Sequence, residues 1–504
     1  MLPLSEAEDK GYRPDAVFRN ETRKVERLVK SNAMVNAHSN TDSQDSSSTS
    51  DSSISVVHRR RASSHGKHHA LTLYSLADSS WEQRALCYFF DQHTIKADSE
   101  EDGHLDYLPS LYARELESSS SCLRWAVDAT ALMTLANTKN APPLMTKARQ
   151  GYGRALRGLQ EALASPANAV KDETFASVVL LSLYEDISGE RNGLFSSHTA
   201  GFEFLTKLRG NTQVYHQRGR DMLTFAYTHN YVEILALGNK PRFDMDWVLS
   251  MLDINKPVER LVLNASKLCQ LSLYMRSTPT PDQATVEAWI KAGREYDLEL
   301  SQWTQTLPDR WLPLVVYSAQ GEPLLTYNRI SNAVVWNYYR AVRVMVQQLL
   351  LSLNRTLTSI RAAKQSSDSR DTSSEPESEC LDEPALQAII REMTTDVCRS
   401  IPFALADVDS LGRPNKSDSP WQMRAAQGYG LLWPLWYILS SGMPTPAQAE
   451  LIRTVLSRVG STLGIKLALV LAREAERIRG EQDEVQGEVL GDLPRGAYNL
   501  GNQS

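Results

Sequence analysis

The sequence predicts an all-α fold, a multi-helix array of antiparallel helix pairs. Two observations lead there: from Trp81 onward apolar residues recur at three- and four-residue spacing in run after run, and period-two alternation is scarce. No repeat of fixed period emerges, so a regular solenoid is not expected.

The N-terminal part stands apart from that array. Residues 11–35 set Val25, Leu28, Val29 and Val35 at helical spacing among Arg19, Arg23, Lys24, Arg27 and Lys30, so 1–37 reads as a short basic helical leader. Residues 38–80 are Ser-rich with few large apolar side chains and read as a disordered linker. Within it, Arg59, Arg60, Arg61 and Lys67 form a basic island that is a nuclear import candidate or a solvated charge run. Ser63 follows Arg60-Arg61-Ala62, the pattern of basophilic kinase sites, and a phosphate there would weaken recognition by an import receptor.

The helical body is expected over 81–480. Runs at 82–92, 107–117, 122–138 and 148–164 come first; in the last, Tyr152, Ala155, Leu156, Leu159 and Leu163 share one face. Thr174 to Ile187 is apolar on nearly every side, which predicts a helix sheathed by neighbours. Ser188-Gly189 and Asn192-Gly193 break it; Ser196 or Ser197 is placed to cap a second helix from about His198, closed by Arg209-Gly210. Helical runs continue at 219–238, 245–253, 257–276 and 282–306, the last stopping at Pro308, and Trp311 with Pro313 reads as a loop. The longest amphipathic run is 328–358. An acidic, Ser-rich stretch at 366–384 reads as a disordered insertion, helices follow at 385–406, 422–440 and 446–478, and 481–504 reads as a flexible tail.

Composition bounds the function. Lys plus Arg is 54 and Asp plus Glu 60, a net charge of −6, so any contact with nucleic acid must come from a local patch. The five cysteines are scattered without a CxxC pair, which argues against a zinc site or a disulfide framework and fits a reducing compartment. No apolar stretch reaches membrane-spanning length. The sequence has no nucleophile elbow, phosphate-cradling loop or dinucleotide fingerprint, and the acids from Ser99 to Asp106 lack a second acidic motif, so an enzyme is not expected. His65, His68 and His69 read as solvated. His198, with no acid, cysteine or second histidine near it in sequence, reads as a helix-terminal residue bonded to backbone. The tryptophans at 289, 303, 311, 336, 421, 433 and 436 read as core, with a pocket for a small apolar effector as the alternative. Pro434, between Trp433 and Trp436, reads as a helix interruption.

Several segments, in order, resemble the fungal-specific transcription factor domain, the regulatory region found downstream of a Zn2Cys6 cluster. They are His198-Thr-Ala-Gly201 with Leu205 and Leu208-Arg209-Gly210, then WNYYRAVR from Trp336, DVCRSIPFAL from Asp396 and GYGLLWPLWYIL from Gly428, with a GYR and FRNET leader near the N-terminus. The resemblance implies an all-α regulatory domain of a nuclear regulator of RNA polymerase II genes, with specialised metabolism as one setting. It implies transcription factors or transcriptional machinery as partners, a homo- or heterodimer, and a small-molecule effector.

The six-cysteine cluster that in the family contacts DNA is not in this sequence. Either an upstream exon encodes it or the chain works without it; zinc is expected only in the first case. No cofactor, membrane association or specific DNA binding is expected of this chain alone. The alternative is a helical scaffold or small-molecule-binding protein without a transcriptional role.

Overall fold

The computed structural model describes residues 81–96, 103–115, 121–191, 194, 196–237, 247, 249–367, 381–415 and 423–485. The leader, the Ser-rich linker with its basic island, most of the acidic insertion and the last part of the tail lie outside them. Among the described residues the fold is all-α apart from one two-stranded hairpin. The described residues fall into two compact units, those of 81–91 with 108–184, and those of 92–107 with 185–485.

In the first unit, α1 (81–93, as far as Asp91) and α2 (Leu108–Arg114) accompany a tight antiparallel pair, α3 (Cys122–Lys139) and α4 (Pro142–Leu163). Ser121 Oγ caps α3 by accepting from Arg124 N–H at 3.2 Å. Asn140 ends it in the left-handed region (φ 49°), and Pro142 opens the next helix. The pair can close because small residues meet: a Cβ on Gly151 would stand 3.1 Å from Ala129 Cβ, and one on Gly158 3.0 Å from the Trp125 ring. After a single turn, α5 (Pro166–Ala169), comes α6 (Asp172–Ser188). Its residues Phe175 to Tyr184 are buried throughout, as its all-round apolar pattern requires. Tyr184 stacks on Tyr152 of α4 at 4.4 Å, and Thr130 Oγ1 on α3 donates to Leu180 O at 3.3 Å.

The second unit takes the end of α6 and continues with α7 (Thr199–Arg209), α8 (Gln217–Leu237), α9 (Pro257–Arg276) and α10 (Gln283–Gln305). Its longest helix is α11 (Ile330–Ser367), 38 residues or about 57 Å. Then come α12 (Glu383–Ala404), α13 (Ala425–Ser440), α14 (Pro446–Thr462) and α15 (Leu467–Val485). Helix α11 is the spine: α9, α10, α12 and α13 all pack on it, and one apolar cluster runs from Leu194 to Ile478 around it. It runs antiparallel to α10, tied by Arg343–Asp297 at 2.9 Å and Arg361–Glu287 at 3.0 Å.

The interface of α11 with α12 is polar at its centre line. Asn337 Oδ1 lies 2.9 Å from Ser400 Oγ, Arg340 Nε 3.9 Å from Asp396, and Asn354 Nδ2 donates to Glu383 at 3.1 Å. Gln347, seven residues from both Arg340 and Asn354, falls on the same face and is fully buried.

Three local expectations are corrected. The stretch after Trp311 is a hairpin, β1 (Leu314–Tyr317) antiparallel to β2 (Pro323–Thr326), with Leu314 opposite Thr326. The run 446–478 is two helices, because Gly464 turns left-handed (φ 75°) and Lys466 N–H leaves the helical ladder to bond Ile187 O at 3.1 Å. Pro434 does not interrupt its helix: α13 runs through it. Its flanking rings offset the missing backbone bond, with Trp433 and Trp436 buried edge to face at 5.7 Å.

Candidate functional site

Two of the segments that carry the resemblance, those from His198 and from Gly428, meet in the second unit around the last turn of α6. Glu185 and Asp186 end that helix, where the negative end of the helix dipole makes two adjacent acids unfavourable unless other groups compensate. Gly189 follows in the left-handed region (φ 70°), and a Cβ there would lie 2.7 Å from Lys466 Cβ, so both backbone and space call for glycine. The chain then folds back over the helix end. Arg191, its side chain fully buried, pairs with the Asp186 carboxylate and donates through Nη2 to Leu194 O at 2.7 Å.

Each acid faces a different way. Glu185 Oε2 accepts from Ser197 N–H at 3.1 Å and Ser196 Oγ at 3.3 Å, while its Oε1 lies 3.5 Å from His198 Nε2. Asp186 Oδ2 accepts from the Tyr429 hydroxyl of α13 at 2.7 Å. Burial pushes the Glu185 carboxyl up to about 7, against the pull of Arg191 and the Ser197 N–H. Burial first, and Asp186 second, hold the Tyr429 phenol well above its ordinary range.

Two sequence readings change here. The acid beside His198 is Glu185, brought to it by chain reversal rather than by sequence proximity. Ser196 and Ser197 serve that acid, and α7 starts from His198 with no side-chain cap bond. The signal was present in the sequence: adjacent acids inside an otherwise apolar helix cannot be solvated, so partners must reach them.

The remaining segments meet likewise. WNYYRAVR lies in α11 and DVCRSIPFAL in α12, joined through Asn337 and Ser400, while Arg343 Nη1 also donates to Tyr339 Oη at 3.1 Å. Trp289, Trp303, Trp311, Trp336, Trp433 and Trp436 belong to the apolar cluster. Arg59, Arg60, Arg61, Lys67 and Ser63 lie outside the described residues, as does Trp421.

The described cysteines do not fit a zinc cluster. Among the described residues no three His, Cys, Asp or Glu side chains gather as a metal site. Cys122 faces Ser177 Oγ at 3.2 Å, and burial pushes the Cys269 thiol up, away from the thiolate a metal requires. No helix among the described residues is long and apolar enough to cross a membrane.

Residues 53–272 match the family model of the fungal specific transcription factor domain. Over those residues the chain is similar to the fungal specific transcription factor domain. The match to this domain takes in Glu185, Asp186, Arg191 and His198 and ends within α9, so Tyr429 joins them from beyond the matched span. A stretch of 93 residues is 36% identical to an uncharacterized protein of Emericella nidulans, covering 18% of this chain and 20% of that protein. The chain thus matches about a fifth of that relative's length. No solved structure matches the chain.

Proposed function

We propose that the chain regulates transcription of RNA polymerase II genes, those of specialised metabolism being the class to examine first. The observation that carries this reading is the match of residues 53–272 to the fungal specific transcription factor domain. It works in the nucleus, delivered by the island at Arg59, Arg60, Arg61 and Lys67 and modulated at Ser63, with transcription factors or transcriptional machinery as partners, as a homo- or heterodimer. It is not an enzyme and holds no stoichiometric zinc of its own, which elemental analysis of the purified chain checks.

On its own the chain attaches to DNA without sequence preference. Specific recognition needs side chains presented to base edges, and the basic residues at Arg19 to Lys30 and Arg59 to Lys67 offer phosphate contacts instead. Selection from a random duplex pool at near-physiological salt is expected to enrich no motif.

The deciding experiment fuses the chain to a heterologous DNA-binding domain and reads a reporter, alongside transcript profiling after deletion of the gene. A reporter change in either direction, with a coherent set of altered transcripts, supports the reading. Silence in both assays sinks it and leaves a helical scaffold or small-molecule binder.

A further inference from the structure

Helix α11 buries a group of hydrogen-bond donors that the protein does not satisfy. Arg340 is only 1% exposed, its guanidinium 5.3 Å from the Trp336 ring and 5.9 Å from the Tyr327 ring. Its Nη1 donates to Asn337 Oδ1 at 3.0 Å. Arginine can only donate, so the amide oxygen must face it, and Asn337 Nδ2 is turned away with no acceptor. Arg340 Nε and the Tyr327 hydroxyl have no hydrogen-bond partner among the described residues either. Burial raises the Tyr327 phenol above its ordinary range although Arg340 pulls it back, so at neutral pH it remains a donor.

The nearest carboxylate holds this group loosely. Asp396 Oδ2 stands 3.9 Å from Arg340 Nε, beyond hydrogen-bond reach, and its Oδ1 is 3.4 Å from Arg399 Nη1. One further buried acceptor without a hydrogen-bond partner among the described residues, Asn332 Oδ1, lies one turn before Trp336, its Nδ2 bonded to Arg310 O at 3.1 Å. What remains is Arg340 Nε and Asn337 Nδ2 without a hydrogen-bond partner among the described residues, beside a Tyr327 hydroxyl whose oxygen interacts with the guanidinium, a costly arrangement to bury. An anion with two oxygens would complete it.

We propose that Arg340, Asn337 and Tyr327 form a binding site for a small carboxylate whose apolar body lies against Trp336, Tyr327 and Phe403. The Phe403 ring lies 5.9 Å from Tyr327 and is itself buried, so the walls favour an aromatic or aliphatic body over a polar one. Asp396 connects the site to the surface. It lines a shallow groove of about 390 Å³ on α12 together with Ala388, Arg391, Glu392, Thr395 and Arg399, so the two arginines face two acids there. An incoming carboxylate meets those two arginines first and then takes the position opposite Nε that Asp396 holds loosely. The site requires no transcriptional role of the chain.

The test uses the purified full chain, with sodium benzoate and sodium acetate as probes, benzamide as the neutral control, and chloride to match ionic strength. Thermal unfolding and tryptophan fluorescence, to which Trp336 contributes as one of ten tryptophans, are followed together. Benzoate is expected to raise the melting temperature and change the fluorescence saturably, acetate more weakly, and benzamide not at all. Y327F, which removes one donor and leaves the ring, is expected to weaken benzoate binding about ten-fold. D396N is expected to lower the melting temperature in buffer and to bind benzoate more tightly, which restores it. R340M is expected to abolish the response; if it does not fold, Y327F and D396N decide. A benzoate response absent from both the unsubstituted chain and D396N overturns the site, as does an equal response to benzamide or an unchanged affinity in Y327F.

Discussion

The Tyr429 hydroxyl donates to Asp186 Oδ2 at 2.7 Å across 243 positions of sequence, and the same carboxylate pairs with Arg191. One buried acid therefore fixes both the chain reversal after α6 and the placement of α13. In a low-dielectric interior such a group must keep all its partners, because losing one exposes the desolvation cost of the others.

Y429F tests that coupling. Removal of the hydroxyl leaves a buried carboxylate with one fewer donor, and the expected loss of stability is about 1–3 kcal/mol. Denaturant titration measures it. In a cycle with D186N the double variant is expected to lose less than the sum of the singles, and strict additivity would show that the two residues are uncoupled.

The line between legible and hidden features follows burial and chain distance. The α6 core helix was legible because Phe175 to Ile187 leave no polar face to solvate. The split between α14 and α15 was hidden because apolar spacing continues across Leu463 to Lys466, and only Gly464 marks the break. The hairpin was hidden because four-residue strands are too short to show alternation. The polar seam of α11 was missed for a different reason: Asn337, Arg340, Gln347 and Asn354 sit where an amphipathic reading assigns a solvated face, yet each is at most 5% exposed. The meeting of Glu185 with His198 depends on a reversal that no helical spacing encodes.

Gln347 offers a test of that seam. It is fully buried and neither amide atom has a hydrogen-bond partner among the described residues. Q347M keeps the length of the side chain and removes the unsatisfied amide, so stability is expected to rise by about 1–3 kcal/mol. A loss of stability would mean that the amide is satisfied by groups beyond those described.

The basic island is expected to act through exposed charge rather than through the fold. Replacing Arg59, Arg60 and Arg61 by alanine is expected to leave the unfolding temperature unchanged and to shift a fluorescent fusion from nucleus to cytoplasm. Unchanged localisation would reduce the island to an ordinary solvated run.

Glu185 makes stability depend on pH in a direction opposite to that of most carboxylates. Its folded pKa is raised to about 7, above the ordinary glutamate value near 4.5, by burial first and by the neighbouring Asp186, against the pull of Arg191 and Ser197. Between those values the folded chain keeps a proton that the unfolded chain has released. Stability therefore falls as pH rises from about 4.5 to about 7, and the loss is complete above the folded pKa. A shift of that size corresponds to roughly 3 kcal/mol at most. E185Q keeps an acceptor for Ser197 N–H but cannot ionise, so this contribution disappears from its pH profile. Relative to the unsubstituted chain, E185Q is expected to gain stability progressively from pH 5 to pH 8. Denaturant unfolding of both proteins at several pH values across that window reads the difference directly. A constant gap, or one that narrows toward pH 8, would show that Glu185 is ionised in the folded state throughout and is held by His198 and Arg191 as a permanent carboxylate.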